Sequence, residues 1–313
     1  MTLSASVSES RKTIVGFALL ALVWGSSFVA IEIGLHAIPP LSFAGIRYLA
    51  AGGVLLGVAY ATTDRPRPRT RAEWLSVGVV ATFVVAAYHG FLYLGELRTS
   101  GPLAAVVVSL SPVLTAPLAS ALLPNQRIGT VEVLGLLLGV GGVAIVANPS
   151  GVANVDPFGV ALVFLGALSF ALGSVLTRPL DAGLPLRTTQ AWAMVLGSVV
   201  LLAVGAVRGE TLVGVEWTTA AVGSLVYLTL VAGVGGYLLY FTLLSRAGPM
   251  QVNLVGYAEP MVATLVGYVL LGHAIQESTV VGFAAILLGF AVLQRRALLS
   301  VARATTRVAA QYA

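Results

Sequence analysis

The stretch GPMQVNLVGYAEPMVATLVGYVLLGH at residues 248–273 is long enough to cross a lipid bilayer as a helix. Its middle holds Glu259 directly before Pro260. A charged residue at the centre of a membrane helix costs roughly 2.5–3.5 kcal/mol, and proline removes a backbone donor at the same depth. We therefore expect a break at Glu259–Pro260, tolerated where neighbouring helices or a wet cavity satisfy the freed groups. The stretch GPLAAVVVSLSPVLTAPLASALLPNQ at residues 101–126 resembles a second copy.

The composition identifies an integral membrane protein. Of 313 residues, 58% are apolar and only 9% are charged, whereas soluble domains carry about 25% charge. The pI near 9.7 does not indicate a nucleic-acid partner, because the basic residues lie between apolar runs. No cysteine is present, and the three histidines, His36, His89 and His273, form no metal motif. We therefore expect neither a metal nor a cofactor.

About 20 apolar residues per span predict an all-α integral membrane protein of ten transmembrane helices. The predicted spans are 13–35, 41–61, 75–95, 102–123, 130–147, 157–177, 188–207, 218–243, 250–271 and 279–297. Arg11-Lys12 and the apolar run after it resemble a signal peptide. Because that run has full spanning length and many spans follow, we predict a retained first helix.

The distribution of Lys and Arg predicts the orientation. Of the 17 basic residues, 14 fall in segments on one side, Arg98 and Arg208 fall on the other, and Arg47 lies within a span. The positive-inside rule then places both termini in the cytoplasm, with tails at 1–12 and 298–313. We interpret the basic loop RPRPRTR at 65–71 as an inside-loop anchor beside lipid head groups rather than a nucleic-acid site.

The chain contains an internal repeat. YLGELRTSGPL at 93–103 aligns with YFTLLSRAGPM at 240–250 at an offset of 147 residues, and Pro112 falls on Pro260 at an offset of 148. The sequence thus predicts two five-helix halves, 13–147 and 157–297. Because five is odd, the second half must enter the membrane inverted. Inverted repeats are typical of transporters, whose substrate site lies near the midplane between the halves.

Glycines recur at helix-packing spacing. The sixth span carries glycines seven residues apart, and the fifth and tenth spans carry matched pairs, namely Gly159, Gly166, Gly173, Gly135/Gly142 and Gly282/Gly289. Such faces let helices approach closely, so we predict packing seams there. The cluster Gly233, Gly235 and Gly236 in helix eight predicts either a bend during transport or close packing.

Four segments resemble the drug/metabolite transporter superfamily, EamA type. They are WGSSFVAIEIG (24–34), FAGIRYLAAG (43–52), LSPVLTAPLA (110–119) and AEPMVATLVGYVLLG (258–272). The resemblance spans nearly the whole chain as two tandem EamA-like units. It implies a ten-helix carrier of the plasma or inner membrane, of a kind that often exports amino acids, metabolites or toxic compounds. The family often has a glutamate nine residues before the glycine of the next span, where this chain has Gln126 and His273. We expect His273 to be an exposed loop residue without a partner.

Glu259 is the leading candidate site residue. It could bind a cationic group or carry a proton, or it could be a neutral acid that ties helix nine to a neighbour. At 100° per residue, Asn253 and Tyr257 share one face with Thr264 and Tyr268, whereas Glu259 points about 200° away from Tyr257. The sequence leaves open which face meets the solute.

Arg47 is the second candidate. Its guanidinium could attract a carboxylate or phosphate of the substrate. It could equally pair with Glu32 near the outer end of helix one, or reach outward to the interface.

Aromatic and polar residues complete the candidate substrate site. His89 and Tyr93 share a face of helix three, and Tyr93 and Tyr240 fall at mirrored repeat positions. This predicts an aromatic pair around an amphipathic substrate, with interfacial anchoring as the alternative. His89 could be a proton relay or an ordinary hydrogen-bonded contact. Trp24 and Ser27, one turn apart in helix one, could line the cavity or simply pack.

Together these features predict a secondary-active carrier rather than an enzyme. It would export a small organic metabolite, amino acid or drug-like solute by alternating access, with a proton or another ion as coupling partner. GxxxxGK[ST] is absent, so ATP is not its intrinsic energy source. The alternative is a facilitative permease without ion coupling. An intramembrane enzyme is disfavoured because HExxH and GxSxG are absent. The sequence leaves the oligomeric state open.

Overall fold

The computed structural model describes residues 2–124, 129–146, 155–180, 183–248, 252 and 254–293. These form ten longer helices, a three-residue 3-10 helix at Arg178–Leu180 and no strand within the described ranges, which confirms the predicted all-α membrane fold. We number them α1 (Thr2–Leu35), α2 (Pro40–Thr62), α3 (Arg71–Glu96), α4 (Gly101–Leu122), α5 (Thr130–Val146), α6 (Pro157–Leu176), α7 (Leu186–Val207), α8 (Thr219–Ala247), α9 (Val255–Leu271) and α10 (Glu277–Leu293). In this part of the chain, seven helices are long and apolar enough to span a bilayer, and shorter apolar helices occupy α5, α9 and α10.

The heaviest helix contacts join the two halves. Repeat-related helices pack on one another, α2 on α7 and α5 on α10. Several other contacts come in repeat-related pairs. The contact of α1 with α9 corresponds to that of α6 with α4, and the contact of α3 with α6 corresponds to that of α8 with α1. The halves therefore interlock, as an approximate two-fold axis between inverted repeats requires.

Glycines form these packing seams, as predicted. A side-chain carbon at Gly142 would lie 2.5 Å from the Gly282 carbonyl oxygen, and one at Gly289 would lie 2.5 Å from the Gly135 carbonyl oxygen. On α6, the glycine ridge at 159, 166 and 173 lies against α3 in the same way. Close backbone approach between helices requires glycine at such positions.

Both α3 and α8 contain a π-helical segment, at Val80–Ala87 and Tyr227–Gly235. The two segments lie at equivalent positions of the repeat. The wider π turn exposes backbone carbonyls to side-chain donors. The Val85 carbonyl oxygen is hydrogen-bonded to the His89 ring Nδ1 at 3.0 Å. At the equivalent position of the second half, the Ala232 carbonyl oxygen accepts a hydrogen bond from the Trp24 indole N–H at 3.2 Å. Gly233 and Gly236 lie in close contact with Ala51 and Trp24, which agrees with the packing alternative predicted for helix eight. The π segment of α8 and its counterpart in α3 were not indicated by the sequence.

The predicted break at Glu259–Pro260 is wrong. The helix α9 runs without interruption from Val255 to Leu271, with Pro260 as its sixth residue. A proline there removes only the bond to the carbonyl four residues back, at Gly256, and one lost bond near a helix start does not end the helix. In α4, by contrast, the helix is interrupted at 109–110, immediately before Ser111 and Pro112.

Acidic side chains close several helix N-termini. The Glu210 carboxylate accepts the N–H groups of Leu41 and Ser42 at the start of α2, at 3.3 and 2.8 Å. Glu32 accepts the Gly101 N–H at the start of α4, at 2.7 Å. Carboxylates at these positions satisfy free donors and oppose the helix dipole. These bonds bring three connections together at one end of the molecule, which we call the α1–α2 face. They are the connections at 36–39, 97–100 and 208–218.

The basic loop at 65–71 is tied to the protein at the opposite face. The Arg65 guanidinium pairs with the buried Glu73 carboxylate, which also closes a capping box with Thr70. The Trp192 indole donates to the Pro66 carbonyl at 3.0 Å. The other arginines of the loop, Arg67, Arg69 and Arg71, are exposed, so only these three remain available as the lipid-facing anchor that we predicted.

Candidate functional site

Arg47 lies at the centre of a buried polar network between α2 and α3. Its side chain is 5% exposed, and it donates to the hydroxyls of Tyr93 at 2.7 Å and Tyr48 at 2.9 Å. The guanidinium also lies 4.3 Å from the centre of the Tyr48 ring. The Tyr48 hydroxyl is hydrogen-bonded in turn to the His89 ring Nε2. The structure thus brings three predicted site residues, Arg47, Tyr93 and His89, into one network.

The predicted pair between Arg47 and Glu32 is wrong. Arg47 points toward α3, and it forms no ion pair within the described part of the chain. Glu32 instead binds the start of α4, and its Oε1 lies 3.1 Å from the His273 ring Nε2. The expectation that His273 is an exposed residue without a partner is therefore also wrong. Its side chain is 29% exposed because the α9–α10 connection folds back over the end of α1.

Glu259 lies on α9 where that helix meets α1. A side-chain carbon at Gly25 of α1 would lie 2.8 Å from the Glu259 backbone oxygen, so the two helices approach closely here. The Glu259 side chain is partly accessible and forms no hydrogen bond or ion pair with any described residue. Tyr88 of α3 and Tyr237 of α8 lie within electrostatic range of its carboxylate. The second predicted role for Glu259, a hydrogen-bonded tie between helices, finds no partner in this part of the chain.

An aromatic cluster stands beside Glu259. The Trp24 ring lies 5.5 Å from the rings of both Tyr237 and Tyr240, and the two tyrosine rings are 6.4 Å apart. All three rings are partly accessible. Aromatic faces attract cations through their quadrupole, so a carboxylate next to such a cluster can bind an organic cation.

The predicted aromatic pair between Tyr93 and Tyr240 is wrong. Tyr93 is fully buried toward α2, where its ring meets Phe43 edge-on at 5.4 Å. Tyr240 turns toward Trp24 of α1 instead. The two tyrosines occupy equivalent positions of the repeat, but their rings have different neighbours: Phe43 for Tyr93 and Trp24 for Tyr240.

Trp24 and Ser27 have different environments. The Trp24 ring occupies the space beside Gly236, where a side-chain carbon would lie 2.5 Å from the indole nitrogen. Gly236 is the repeat mate of His89, so in the second half an indole from α1 fills the place of that side chain. Ser27 is buried and donates to the Val23 carbonyl of its own helix at 3.0 Å, which indicates a packing role.

The two faces of α9 separate clearly. Tyr257 packs against Phe290 of α10 with ring centres 4.2 Å apart, and Tyr268 is 57% exposed on the outside of the bundle. Glu259 lies where α9 approaches Gly25 of α1, and Tyr237 of α8 is within electrostatic range of its carboxylate. Asn253 lies outside the described residues.

Three members of this region were missed by sequence reasoning, namely Tyr48, Tyr88 and Tyr237. Each one is adjacent in sequence to a candidate or lies one turn from it: Tyr48 follows Arg47, Tyr88 precedes His89, and Tyr237 is three residues from Tyr240. Tyrosines inside apolar spans at the same depth as a charged residue are the signal that could have found them.

Comparison with known proteins identifies relatives along the whole chain. A family model described as "EamA-like transporter family" matches residues 11–148 and again 157–295. A protein of Archaeoglobus fulgidus named "Uncharacterized transporter" is 30% identical over 279 residues, covering 89% of this chain and 97% of its own length. The "Uncharacterized inner membrane transporter YedA" of Escherichia coli K12 is 29% identical, covering 82% of each chain.

One solved crystal structure shares the fold. It superimposes with a TM-score of 0.61 at 22% identity and covers 92% of this chain and 98% of its own. At that identity the likeness concerns the fold alone.

Proposed function

Because the chain belongs to the EamA-like transporter family and is a multi-pass membrane transporter, we propose that it exports a small organic solute bearing a cationic group. The solute class includes amines, amino-acid derivatives and drug-like cations. Transport proceeds by alternating access between the two interlocked halves, and the solute is exchanged for protons.

The observation that carries this proposal is the state of the Glu259 side chain. It is an acid in the second turn of the apolar helix α9, it is partly accessible, and it has no hydrogen-bond or ion-pair partner among the described residues. An intramembrane carboxyl without a structural partner is a functional site by default. The rings of Trp24, Tyr237 and Tyr240 supply a surface for the apolar or cationic part of the solute.

Arg47 serves this site as a positioning residue rather than as a substrate ligand. Its guanidinium is enclosed by Tyr48 and Tyr93, which leaves little surface for a solute anion. Its fixed charge within the bundle disfavours a second cation near α2 and so directs a cationic solute toward Glu259.

Proton exchange follows from the use of one carboxyl for two ligands. The carboxylate binds the solute cation in one step and a proton in the next, and it cannot hold both together. An inward proton gradient would therefore drive outward movement of the solute. The basic loops support a cytoplasmic position for both termini, so the α1–α2 face is the outer one in this proposal.

The test is transport by the purified full-length protein in liposomes. A panel of labelled amines, zwitterionic amino acids and organic anions is offered with and without a pH gradient. We expect gradient-driven transport of amines, with loss of at least about tenfold in the Glu259→Gln variant, as removal of an essential charged contact would give. Glu216→Gln, which removes an exposed carboxyl in the α7–α8 connection, is the matched control.

Three outcomes contradict the proposal. Anions transported in preference to amines would exclude a cation site at Glu259. Normal pH-driven transport by Glu259→Gln would exclude its role in exchange. Amine transport at the same rate with and without the pH gradient would exclude proton exchange. It would indicate a facilitative permease, the alternative given in the sequence analysis.

A further inference from the structure

A cavity of about 420 Å³ opens at the α1–α2 face, separate from Glu259. We call it the mouth pocket. Ends of several helices form it: the last turn of α1, the end of α3, the start of α4, and the connections before α6 and α10. Its polar lining includes Glu32, Glu96 and Gln276, and its apolar lining includes Leu35, Leu103 and Val155.

Most charges around the mouth pocket are already matched. Glu32 is held by the Gly101 N–H and by His273. Arg98 forms an ion pair with Asp156 at 2.9 Å, and its guanidinium lies 5.1 Å from the centre of the Phe158 ring. The Arg98 guanidinium and the Phe158 N–H lower the pKa of Asp156, so this pair stays ionised at neutral pH. The Arg98 guanidinium is therefore already paired with Asp156 and does not neutralise the other acids of the mouth pocket.

Glu96 is the exception. Its side chain is 4% exposed, and neither carboxyl oxygen has a hydrogen-bond partner in the described part of the chain. The Gln276 amide oxygen is also buried without a partner there. Both residues line the mouth pocket. Burying a carboxylate without donors is costly, so this arrangement favours a ligand that brings N–H donors and a positive charge.

The size and lining define the ligand class. Pockets for small organic molecules are usually about 300–1,000 Å³, so the mouth pocket is far larger than one metal ion requires. No group of three or more His, Asp or Glu side chains among the described residues is arranged to hold a metal. A primary ammonium would satisfy the acceptors of Glu96 and Gln276, while an apolar body would contact Leu35, Leu103 and Val155.

We propose that the mouth pocket is a second binding site for amphipathic primary amines, with Glu96 as the residue that binds the ammonium group. Glu32 takes no direct part, because its oxygens already serve α4 and His273. The site goes beyond the proposed function, because it stands on Glu96 and does not require transport through Glu259.

The experiment measures binding to the full-length protein in lipid nanodiscs, in the Glu259→Gln background so that the central site is removed. The probe is phenethylammonium, and its neutral N-acetyl derivative tests the need for charge. We expect saturable binding of the amine, about tenfold or more weaker after Glu96→Gln, and no binding of the neutral derivative. Glu216→Gln, an exposed acid at the same face, should leave the affinity unchanged.

Gln276→Met is a second variant for the case that Glu96→Gln does not fold. Gln276 lies in a connection rather than in a helix, and its amide oxygen is the second free acceptor. Weaker amine binding by this variant supports the proposal. Unchanged binding in the variants that fold, equal binding of the neutral derivative, or no saturable binding overturns it. Because Glu259 is replaced in all these variants, a negative binding result would not contradict transport through Glu259. Conversely, a negative transport result for Glu259 would not change the interpretation of binding at the mouth pocket.

Discussion

At the scale of single residues, Arg47 and Glu259 are two ionisable groups with different surroundings. Arg47 is enclosed by tyrosine hydroxyls and a ring face, which stabilise its charge without a carboxylate. Glu259 has no such enclosure in the described structure. One charge is thus fixed by its neighbours, and the other remains able to exchange ligands.

Removal of the Tyr93 hydroxyl should destabilise the fold. In Tyr93→Phe the buried Arg47 loses the acceptor at 2.7 Å, which leaves a charged donor unpaired. We expect a loss of about 1–3 kcal/mol in the free energy of unfolding, measured by thermal or denaturant unfolding in detergent. Tyr60→Phe, at an exposed tyrosine of the same helix as Arg47, is the control. Equal stability of the two variants would contradict the role assigned to this bond.

At the scale of helices, close contacts depend on which glycine faces a neighbour. The fifth helix shows this with two adjacent residues. Gly142 faces the Gly282 carbonyl oxygen of α10, whereas nothing lies within 4 Å of a side-chain carbon built at Gly141. The same replacement should therefore have opposite effects one residue apart.

Gly142→Ala should destabilise the protein and Gly141→Ala should not. Overpacking typically costs about 1–3 kcal/mol, whereas alanine in an open helical position gains up to about 1 kcal/mol in helix propensity. Unfolding midpoints of the two variants in detergent provide the measurement. A destabilised Gly141→Ala beside a normal Gly142→Ala would show that the α5–α10 seam is built differently.

A second prediction for helices concerns the π segment of α8. In Gly236→Ala the new carbon would displace the Trp24 indole and weaken its bond to the Ala232 carbonyl. Because this contact docks α1 on α8 beside Glu259, we expect reduced transport and a changed tryptophan fluorescence. Gly223→Ala, in the first part of α8 with open space around it, is the matched control. Transport by Gly236→Ala at the level of that control would argue against docking by Trp24.

At the scale of the whole molecule, many helices of one half pack on helices of the other half. Most helix pairs that cross between the halves in the described structure have a repeat-related counterpart or are their own counterpart, and the contact of α4 with α10 is an exception. Opening one face therefore requires movement at matched seams on both sides of the approximate axis, which suits alternating access.

The orientation gives a prediction that needs no folding measurement. The chain has no cysteine, so single cysteines can be labelled without background. We expect Glu216→Cys to react with a membrane-impermeant maleimide in intact cells, and Arg67→Cys to react only after permeabilisation. The reverse pattern would place the basic loops outside and overturn the predicted topology.

The helices and their repetition could be predicted from the amino-acid sequence alone. Apolar runs of spanning length predict the helices because a backbone in lipid must satisfy its own hydrogen bonds, and the spaced glycines predict the seams. The sequence also indicated the acid, the arginine and three aromatic residues of this region, Trp24, Tyr93 and Tyr240, but not Tyr48, Tyr88 and Tyr237.

The contacts of these residues with other helices could not be predicted from the sequence and became visible in the folded structure. Arg47 bonds to tyrosines rather than to Glu32, Tyr240 contacts Trp24 rather than Tyr93, and Tyr257 packs against Phe290 of α10. The physical reason is that spacing along one helix fixes only the relative direction of side chains. Which neighbour stands in that direction depends on how two inverted halves interlock, and that depends on contacts between residues far apart in the chain.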